Sequence, residues 1–236
     1  MDVLNDPKYS YLIKKQPFYY KIFKTFFYYY SKFVFTFYTP VTISGKKNIP
    51  NCSFIFSSNH NSHLDVALLS VSSQKDYNHF AMLAAKDYFF DSWLRRTSIN
   101  MVMNLIPIDR KVDGVRNFSI EDTLKLCKAF MDFDQRNLIM FPEGTRTERG
   151  SKGRYKTGAT RLAVLTGASV IPVAVTSGRC WPRRSFWLRP GVIDVSFGRP
   201  ISSKDRDPDE LMAEIKDWIE LEMNRLDPEA YTEKRV

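Results

Sequence analysis

Short apolar runs alternate with longer amphipathic segments along most of the chain. The apolar runs predict buried strands at residues 53–59, 80–85, 104–109, 137–142, 169–176 and 193–201. Segments with helical character lie between or after them, near residues 64–72, 87–101, 119–133, 157–167 and 208–225. This alternation predicts an α/β fold: a single domain with a mostly parallel or mixed central sheet flanked by helices. We expect that domain to span residues 41–236 and to follow an N-terminal segment, residues 1–40.

The N-terminal segment has a different pattern. Residues 17–38 are mostly aromatic but carry Lys21, Lys24 and Lys32. A membrane-spanning helix needs about 20 predominantly apolar residues, and these lysines interrupt the run. Tyrosine rings favour the depth of the lipid headgroups, and lysine side chains can extend towards lipid phosphates. We therefore predict membrane-docking helices that lie in the interface. A helix packed on the core, a buried hairpin and a true span are the alternatives.

Charge supports an anionic partner. The 236 residues carry a formal net charge of +9, and residues 1–50 hold eight Lys against two Asp. A basic surface attracts nucleic acid, phosphorylated metabolites or anionic lipid. Because the aromatic residues gather near the N-terminus instead of interleaving with the basic ones, no nucleic-acid partner is expected. The widely spaced Cys52, Cys127 and Cys180 give no disulfide framework and no thiolate zinc site, which favours a reducing compartment.

A cluster of polar side chains follows the first predicted strand. His60, Ser62, His63 and Asp65 fall within six positions. Ligand sites in open α/β sheets gather at the carboxyl ends of strands, and a histidine beside a carboxylate can act as a general base. His60 can meet Asp65 only if it precedes the helix that Asp65 begins. Two alternatives remain: Asp65 caps that helix in an S-x-x-D pattern, or His60, His63 and Asp65 bind a metal ion.

A second cluster, FPEGTRT at residues 141–147, leaves the strand that ends near Pro142. Gly144 allows a tight turn and close approach of the backbone to a ligand. A buried carboxylate at Glu143 could hold Arg146 or accept a substrate hydroxyl. The following basic residues are Arg146, Arg149, Lys152, Arg154 and Lys156. With exposed amides they would bind a phosphate, although a solvated basic loop is the alternative.

A basic pair, Arg110–Lys111, ends the predicted strand at residues 104–109. The carboxyl ends of parallel strands share one edge of a sheet, so we expect the three strand exits to converge on one site.

These segments together resemble a known family. NHNSHLD (59–65), IPIDR (106–110), FPEGTRT (141–147) and VIPVAV (170–175) are similar, in order and spacing, to the four sequence blocks of the glycerolipid acyltransferases. The resemblance extends from about residue 43 to 201 and is closest to the branch of 1-acyl-sn-glycerol-3-phosphate acyltransferases. At Asn104 and Pro107 the chain departs from the Gly and Phe that the second block often has, and His63 stands at a position that is commonly aromatic.

The resemblance implies an activity and roles for the site residues. His60 would be the general base and Asp65 its partner, while Arg110, Glu143, Gly144, Thr145 and Arg146 would bind the acceptor. The reaction would transfer a fatty acyl group from acyl-CoA or acyl carrier protein to the free hydroxyl of 1-acyl-sn-glycerol-3-phosphate, making phosphatidic acid. No cofactor and no metal are expected. The family's first helices dock on a membrane, so the expected location is the cytoplasmic face of a bacterial inner membrane.

Other functions are compatible with the same residues. The acceptor could be glycerol 3-phosphate, another lysophospholipid or a lyso-ornithine lipid. From different classes, a metal-dependent phosphohydrolase would use His60, His63 and Asp65, and a catalytically inactive lipid-binding module would use only the basic and aromatic surface.

Overall fold

A computed structural model of the chain describes residues 2–90, 92–109 and 118–231. Its strands are β1 (Val41–Ser44), β2 (Phe54–Ser58), β3 (Phe80–Ala85), β4 (Asn104–Ile108), β5 (Asn137–Met140), β6 (Ser169–Val175) and β7 (Ile193–Phe197). Its helices are α1 (Ser10–Ile13), α2 (Phe18–Phe37), α3 (Asp65–Ser73), α4 (Lys86–Phe89), α5 (Trp93–Asn100), α6 (Ile120–Asp132), α7 (Gly158–Thr166), α8 (Pro208–Leu226) and α9 (Pro228–Tyr231).

The predicted α/β architecture of mostly parallel strands with flanking helices is confirmed. Each of the six predicted strands is present within a few residues of its expected bounds. The helix expected over residues 87–101 is divided into α4 and α5. β1 was not predicted, because three of its four residues are exposed and it therefore lacks the apolar run of a buried strand.

The described residues form two compact units, of which the first comprises Met1–Tyr29 and Lys75–Ile139. In this unit β3 lies between β4 and β5 and is parallel to both. Its core contains the fully buried Phe80, Ile106, Leu126 and Phe130. Parallel strands of this kind are buried on both faces, which explains their continuous apolar sequences.

The second unit comprises Tyr30–Gln74 and Met140–Val236. Its strands follow the order β1-β7-β6-β2, with β6 and β7 antiparallel and the other two neighbouring pairs parallel. The rings of Phe54, Phe56 and Phe197 pack against one another in its core. Because β2 and β6 are parallel neighbours, the chain leaves both at the same edge, after Ser58 and after Val175.

Helix α2 presents a long aromatic row to the exterior. Within the part of the chain that the structure describes, no helix has the length and hydropathy needed to cross a membrane. The side chains of the row recur every three or four positions, as one face of a helix requires. Each is more than half exposed: Phe18, Ile22, Phe26, Tyr29, Tyr30, Phe33 and Phe37. Exposed apolar surface of this extent is unusual for a soluble domain and marks a contact surface.

Lys24 does not belong to that exposed face. It lies with Tyr28 and Phe35 on the narrow buried strip of α2, and it is fully buried. Its Nζ donates to Gln16 Oε1 at 2.6 Å and to Asn104 Oδ1 at 2.5 Å. The prediction that Lys24 extends towards lipid phosphates is therefore wrong, whereas Lys21 and Lys32 are exposed as expected. Burial, aided by the charge of Arg136, lowers the pKa of Lys24 from 10.5 to about 7.

The lowered pKa of Lys24 predicts a pH-dependent stability. Between pH 7 and about 10 the unfolded chain binds a proton at this lysine that the folded chain does not, so the free energy of unfolding rises with pH. We expect a contribution of roughly 1 kcal/mol per pH unit in that interval. In Lys24→Met this contribution should disappear, as measured by denaturant unfolding between pH 6 and 9. Lys21→Met, an exposed lysine on the same helix, should keep the parental slope. Parallel curves for Lys24→Met and the parent would contradict the burial of a titrating ammonium.

Candidate active site

The site is centred on His60 and Asp65, as the sequence predicts. His60 follows the end of β2, and Asp65 is the first residue of α3. His60 Nδ1 lies 2.6 Å from Asp65 Oδ2, and the carboxylate is fully buried while the imidazole stays partly exposed. An ionised carboxylate can only accept, so Nδ1 carries the hydrogen and Nε2 is left to take a proton.

Asp65 also organises the loop that carries His60. Its Oδ2 accepts from the backbone N–H groups of Asn61 and Ser62, at 3.0 and 3.1 Å. Asp65 does not cap α3, because both amides precede the helix, and Leu64 at the N-cap position makes no side-chain cap hydrogen bond. Ser62 differs from the predicted capping box, because α3 begins at Asp65 and the Ser62 hydroxyl accepts from the N–H of Leu64 within the loop.

The FPEGTRT segment holds the main chain of His60 from the other side. The His60 N–H donates to Glu143 Oε1 at 3.1 Å, and its carbonyl accepts from the N–H of Thr147 at 2.8 Å. The Phe141 ring stacks on the imidazole with ring centroids 3.9 Å apart. The loop therefore fixes the position of His60, while Asp65 fixes the orientation of its ring.

Glu143 is buried, and burial raises the pKa of its carboxyl group. Its contact with the His60 amide makes it a support of the loop that carries His60. Gly144 has a φ of 68°, the left-handed conformation that favours glycine, and its N–H closes a turn onto the carbonyl of Phe141. Gly144 and Thr145 are both exposed at the tip of this turn.

Arg146 lies beside His63. Its Nη1 donates to His63 Nε2. The imidazole of His63 also contacts the Trp181 ring, with ring centroids 5.5 Å apart. Burial and the Arg146 charge lower the pKa of His63, so this imidazole is neutral at pH 7. At a position that is commonly aromatic in the family it resembles, His63 thus accepts a hydrogen bond from the arginine of the FPEGTRT segment.

One member of the basic run after FPEGTRT, Arg149, binds a carboxylate of the protein itself. Arg149 binds both oxygens of Asp227 at 2.7 Å, and Arg179 reaches the same carboxylate at 3.2 Å. Asp227 is almost fully buried, and although burial raises the pKa of its carboxyl group, the two guanidinium groups lower it below the usual value. Arg149 thus forms a structural ion pair with Asp227. Arg110 and Lys111 lie outside the described residues.

Three contributors to the site were not predicted from the sequence: Ser177, Asn61 and the stacked Phe141. The Ser177 hydroxyl lies within hydrogen-bond distance of Asp65 Oδ1 and of Asn61 Oδ1. The N–H of Gly178 already donates to that Asn61 oxygen at 3.1 Å, so the single proton of Ser177 suits the carboxylate. The sequence signal that could have indicated Ser177 is the Thr-Ser-Gly that follows VIPVAV. Because β6 is a parallel neighbour of β2, the residues after the two strands lie close together.

Among residues 2–90, 92–109 and 118–231, no three His, Cys, Asp or Glu side chains are grouped to hold a metal ion. His63 Nε2 accepts a hydrogen bond from Arg146. A buried carboxylate that orients an imidazole at a strand end is an arrangement in which a histidine can act as a general base.

A comparison with protein-family models identifies the family of the chain. The acyltransferase family model matches residues 40–176, which contain His60, Asp65 and the FPEGTRT segment, and the chain belongs to this family.

The curated relatives that the chain matches are 1-acyl-sn-glycerol-3-phosphate acyltransferases. The chain is 33% identical over 94 residues to a 1-acyl-sn-glycerol-3-phosphate acyltransferase of Pseudomonas aeruginosa, covering 39% of the chain and 37% of that protein. It is 28% identical over 171 residues to a chloroplastic 1-acyl-sn-glycerol-3-phosphate acyltransferase of Arabidopsis thaliana, covering 71% of the chain and 45% of that protein. The matches thus span less than half the length of these relatives.

A solved structure supports the fold. The crystal structure of the 1-acyl-sn-glycerophosphate acyltransferase from Thermotoga maritima is similar with a TM-score of 0.65 and 23% identity. The similarity covers 88% of the chain and 79% of that structure.

Proposed function

We propose that the protein transfers a fatty acyl group from acyl-CoA or acyl carrier protein to the free hydroxyl of 1-acyl-sn-glycerol-3-phosphate, making phosphatidic acid. The observation that carries this proposal is the Asp65-held imidazole of His60, in a loop fixed by the segment that also carries Arg146. The relatives named above support the choice of acceptor.

The chemistry requires a base because an alcohol is a poor nucleophile at neutral pH. Neutral His60 accepts the hydroxyl proton at Nε2 while the acceptor oxygen attacks the thioester carbonyl carbon. The carboxylate of Asp65 stabilises the imidazolium that forms. The tetrahedral intermediate then expels the thiolate, which takes the proton from His60. A positioned base of this kind accelerates a reaction by about 10²- to 10⁴-fold.

Arg146 is the residue that we assign to the acceptor phosphate. Its guanidinium is only partly exposed and is steadied by His63, so its conformation is restricted before any ligand binds. A bidentate guanidinium contact would hold the phosphate away from the reacting hydroxyl, and that binding energy would serve orientation at His60. A phosphate contact by Arg110 stays a prediction, as do acceptor contacts by Gly144 and Thr145.

The decisive experiment measures turnover across a panel of acceptors and donors. Purified protein is incubated with 1-acyl-sn-glycerol-3-phosphate, glycerol 3-phosphate, other lysophospholipids and a lyso-ornithine lipid. Each acceptor is paired with labelled acyl-CoA and with acyl carrier protein, and products are resolved by mass spectrometry. We expect phosphatidic acid as the main product and no effect of a chelator. Preference for another acceptor, release of inorganic phosphate with loss of activity on chelation, or lipid binding without any product would each reject the proposal.

We also propose that the exposed row of α2 rests on the membrane surface. The row is apolar and aromatic, and the exposed Lys21 and Lys32 flank it, as suits an interfacial helix above anionic lipid. Attachment to the cytoplasmic face stays a prediction.

Replacing Phe26 and Phe33 together by serine should lower binding to anionic vesicles about tenfold or more, because two rings lose their contact with the acyl region. Vesicle co-sedimentation measures the effect. Leu165→Ser, a change of an exposed leucine on α7, is the matched control and should bind like the parent. Equal binding by the Phe26/Phe33 variant and the parent would remove α2 as the docking element.

A further inference from the structure

A second exposed aromatic surface lies on the loop between β6 and β7, at residues 181–192. We define this segment as the arginine-aromatic loop. At its tip Phe186 is 82% exposed and Trp187 is 74% exposed, with the two rings in edge-to-face contact at 5.1 Å. The family model ends at residue 176, before this loop begins.

The arginine-aromatic loop is an ordered structure despite its exposed tip. Trp181 Nε1 donates to the carbonyl of Ser185 at 2.8 Å, and the Ser185 hydroxyl donates to the carbonyl of Trp187 at 3.0 Å. The N–H of Arg189 closes the base of the loop onto the carbonyl of Cys180 at 2.9 Å. Two large rings are therefore held outwards by a hydrogen-bonded turn, where burial against a partner would compensate their exposure.

The charge of the loop selects the kind of partner. It carries Arg183, Arg184 and Arg189, and its sequence has no acidic residue before Asp194. Arginine binds phosphate groups bidentately, and tryptophan favours the boundary between headgroups and acyl chains. An anionic lipid surface offers both a phosphate layer and an apolar layer.

Position within the second unit favours the same partner. The Tyr38 hydroxyl, one residue beyond α2, donates to the carbonyl of Leu188 at 3.2 Å. The loop therefore adjoins the end of α2, where the exposed rings of Phe33 and Phe37 pack together with centroids 4.9 Å apart. At its other end Trp181 lies against His63, which contacts Arg146.

We infer that the arginine-aromatic loop is a second membrane contact, which inserts Phe186 and Trp187 into an anionic bilayer and binds lipid phosphates through its arginines. The base of the loop lies against His63, which contacts Arg146, so a lipid acceptor would leave the bilayer beside the residue that we assign to its phosphate. The inference rests on the proposed membrane-lipid acceptor but not on the identity of that lipid.

The test uses the full chain with vesicles of phosphatidylglycerol and phosphatidylethanolamine, and with vesicles of phosphatidylcholine alone. Phe186→Ser combined with Trp187→Ser should lower binding to the anionic vesicles about tenfold or more. Turnover of an acceptor presented in those vesicles should fall by a similar factor, and turnover of a short-chain, water-soluble acceptor should stay within about twofold of the parent. Leu221→Ser, an exposed leucine on α8, is the control that should change neither.

A second variant keeps the test valid if the double serine variant fails to fold. Trp187→Phe keeps an apolar ring, so it should bind vesicles like the parent but lose most of the fluorescence quenching by brominated lipids. Unchanged binding of a folded double variant, or unchanged quenching in Trp187→Phe, would overturn the inference. A parent that is dimeric by light scattering and becomes monomeric in the double variant would assign the tip to a second copy of the chain. Absence of turnover with every acceptor would reject the proposed function while leaving the vesicle-binding result interpretable.

Discussion

His60→Ala is expected to lower kcat for acyl transfer by about 10³-fold while leaving the fold intact. The imidazole is partly exposed, and its removal leaves the peptide group of residue 60 free to keep its contacts with Glu143 and Thr147. The loss should therefore fall on proton removal from the acceptor hydroxyl and not on acceptor binding. Steady-state kinetics should accordingly show a collapse of kcat with little change in the KM for the acceptor.

The chain supplies its own control for this change. His79 forms a second His–Asp pair, with Nδ1 2.8 Å from Asp76 Oδ1, but its side chain is about half exposed and lies in the other compact unit. His79→Ala removes the same chemical group from a similar local contact and should keep near-parental turnover. A kcat for His60→Ala within tenfold of the parent, with circular dichroism unchanged, would falsify the assignment of His60 as the base.

Asp65→Asn is expected to reduce kcat by about 10²- to 10⁴-fold and to lower the free energy of unfolding by roughly 3 kcal/mol. Both oxygens of Asp65 accept hydrogen bonds: Oδ2 from the imidazole and two loop amides, Oδ1 from Ser177. An asparagine must direct its NH₂ group at one set of donors, whichever way it is turned. The imidazole then loses the partner that selects its tautomer, and a buried group is left unpaired. Kinetics and thermal unfolding of the same preparation measure both effects.

Two control variants separate the effect of losing the charge at residue 65 from a general loss of stability. Asp132→Asn alters an exposed carboxylate that pairs with Lys128 on α6 and should change neither quantity. Ser177→Ala removes one donor to Asp65 but keeps its charge, so its kcat should fall only about tenfold. If Asp65→Asn and Ser177→Ala lose activity equally, the negative charge at residue 65 has no special role.

Local pattern was enough to predict strands β2 to β7 and the His60–Asp65 pair. The strands are short apolar runs buried on both faces, and five residues separate two groups that a strand exit and a first helical turn bring together. The partner Ser177 is 112 residues from Asp65, and Asp227 is 78 residues from Arg149. These contacts depend on which strands are neighbours and on where the last helices pack. No local period in the sequence carries that information.

The carboxylate contact of Arg149 was not predicted for a related reason. Counting charge along residues 141–156 predicts one phosphate-binding run, yet a buried carboxylate near the end of α8 binds Arg149. The same counting placed Lys24 with Lys21 and Lys32. The helical phase assigns Lys24 to the strip of Tyr28 and Phe35, and the amide acceptors that make its burial tolerable are Gln16 and the distant Asn104.

The contact between Lys24 and Asn104 makes two distant sequence segments interdependent. The family often has glycine at the position of Asn104, and glycine offers no side-chain acceptor for an ammonium. Transplanting residues 1–40 of this chain onto such a relative would leave the lysine nitrogen with one acceptor fewer in an apolar surrounding, and the chimaera would fold poorly. Introducing asparagine at that one position in the recipient would restore the missing acceptor and the folding of the chimaera.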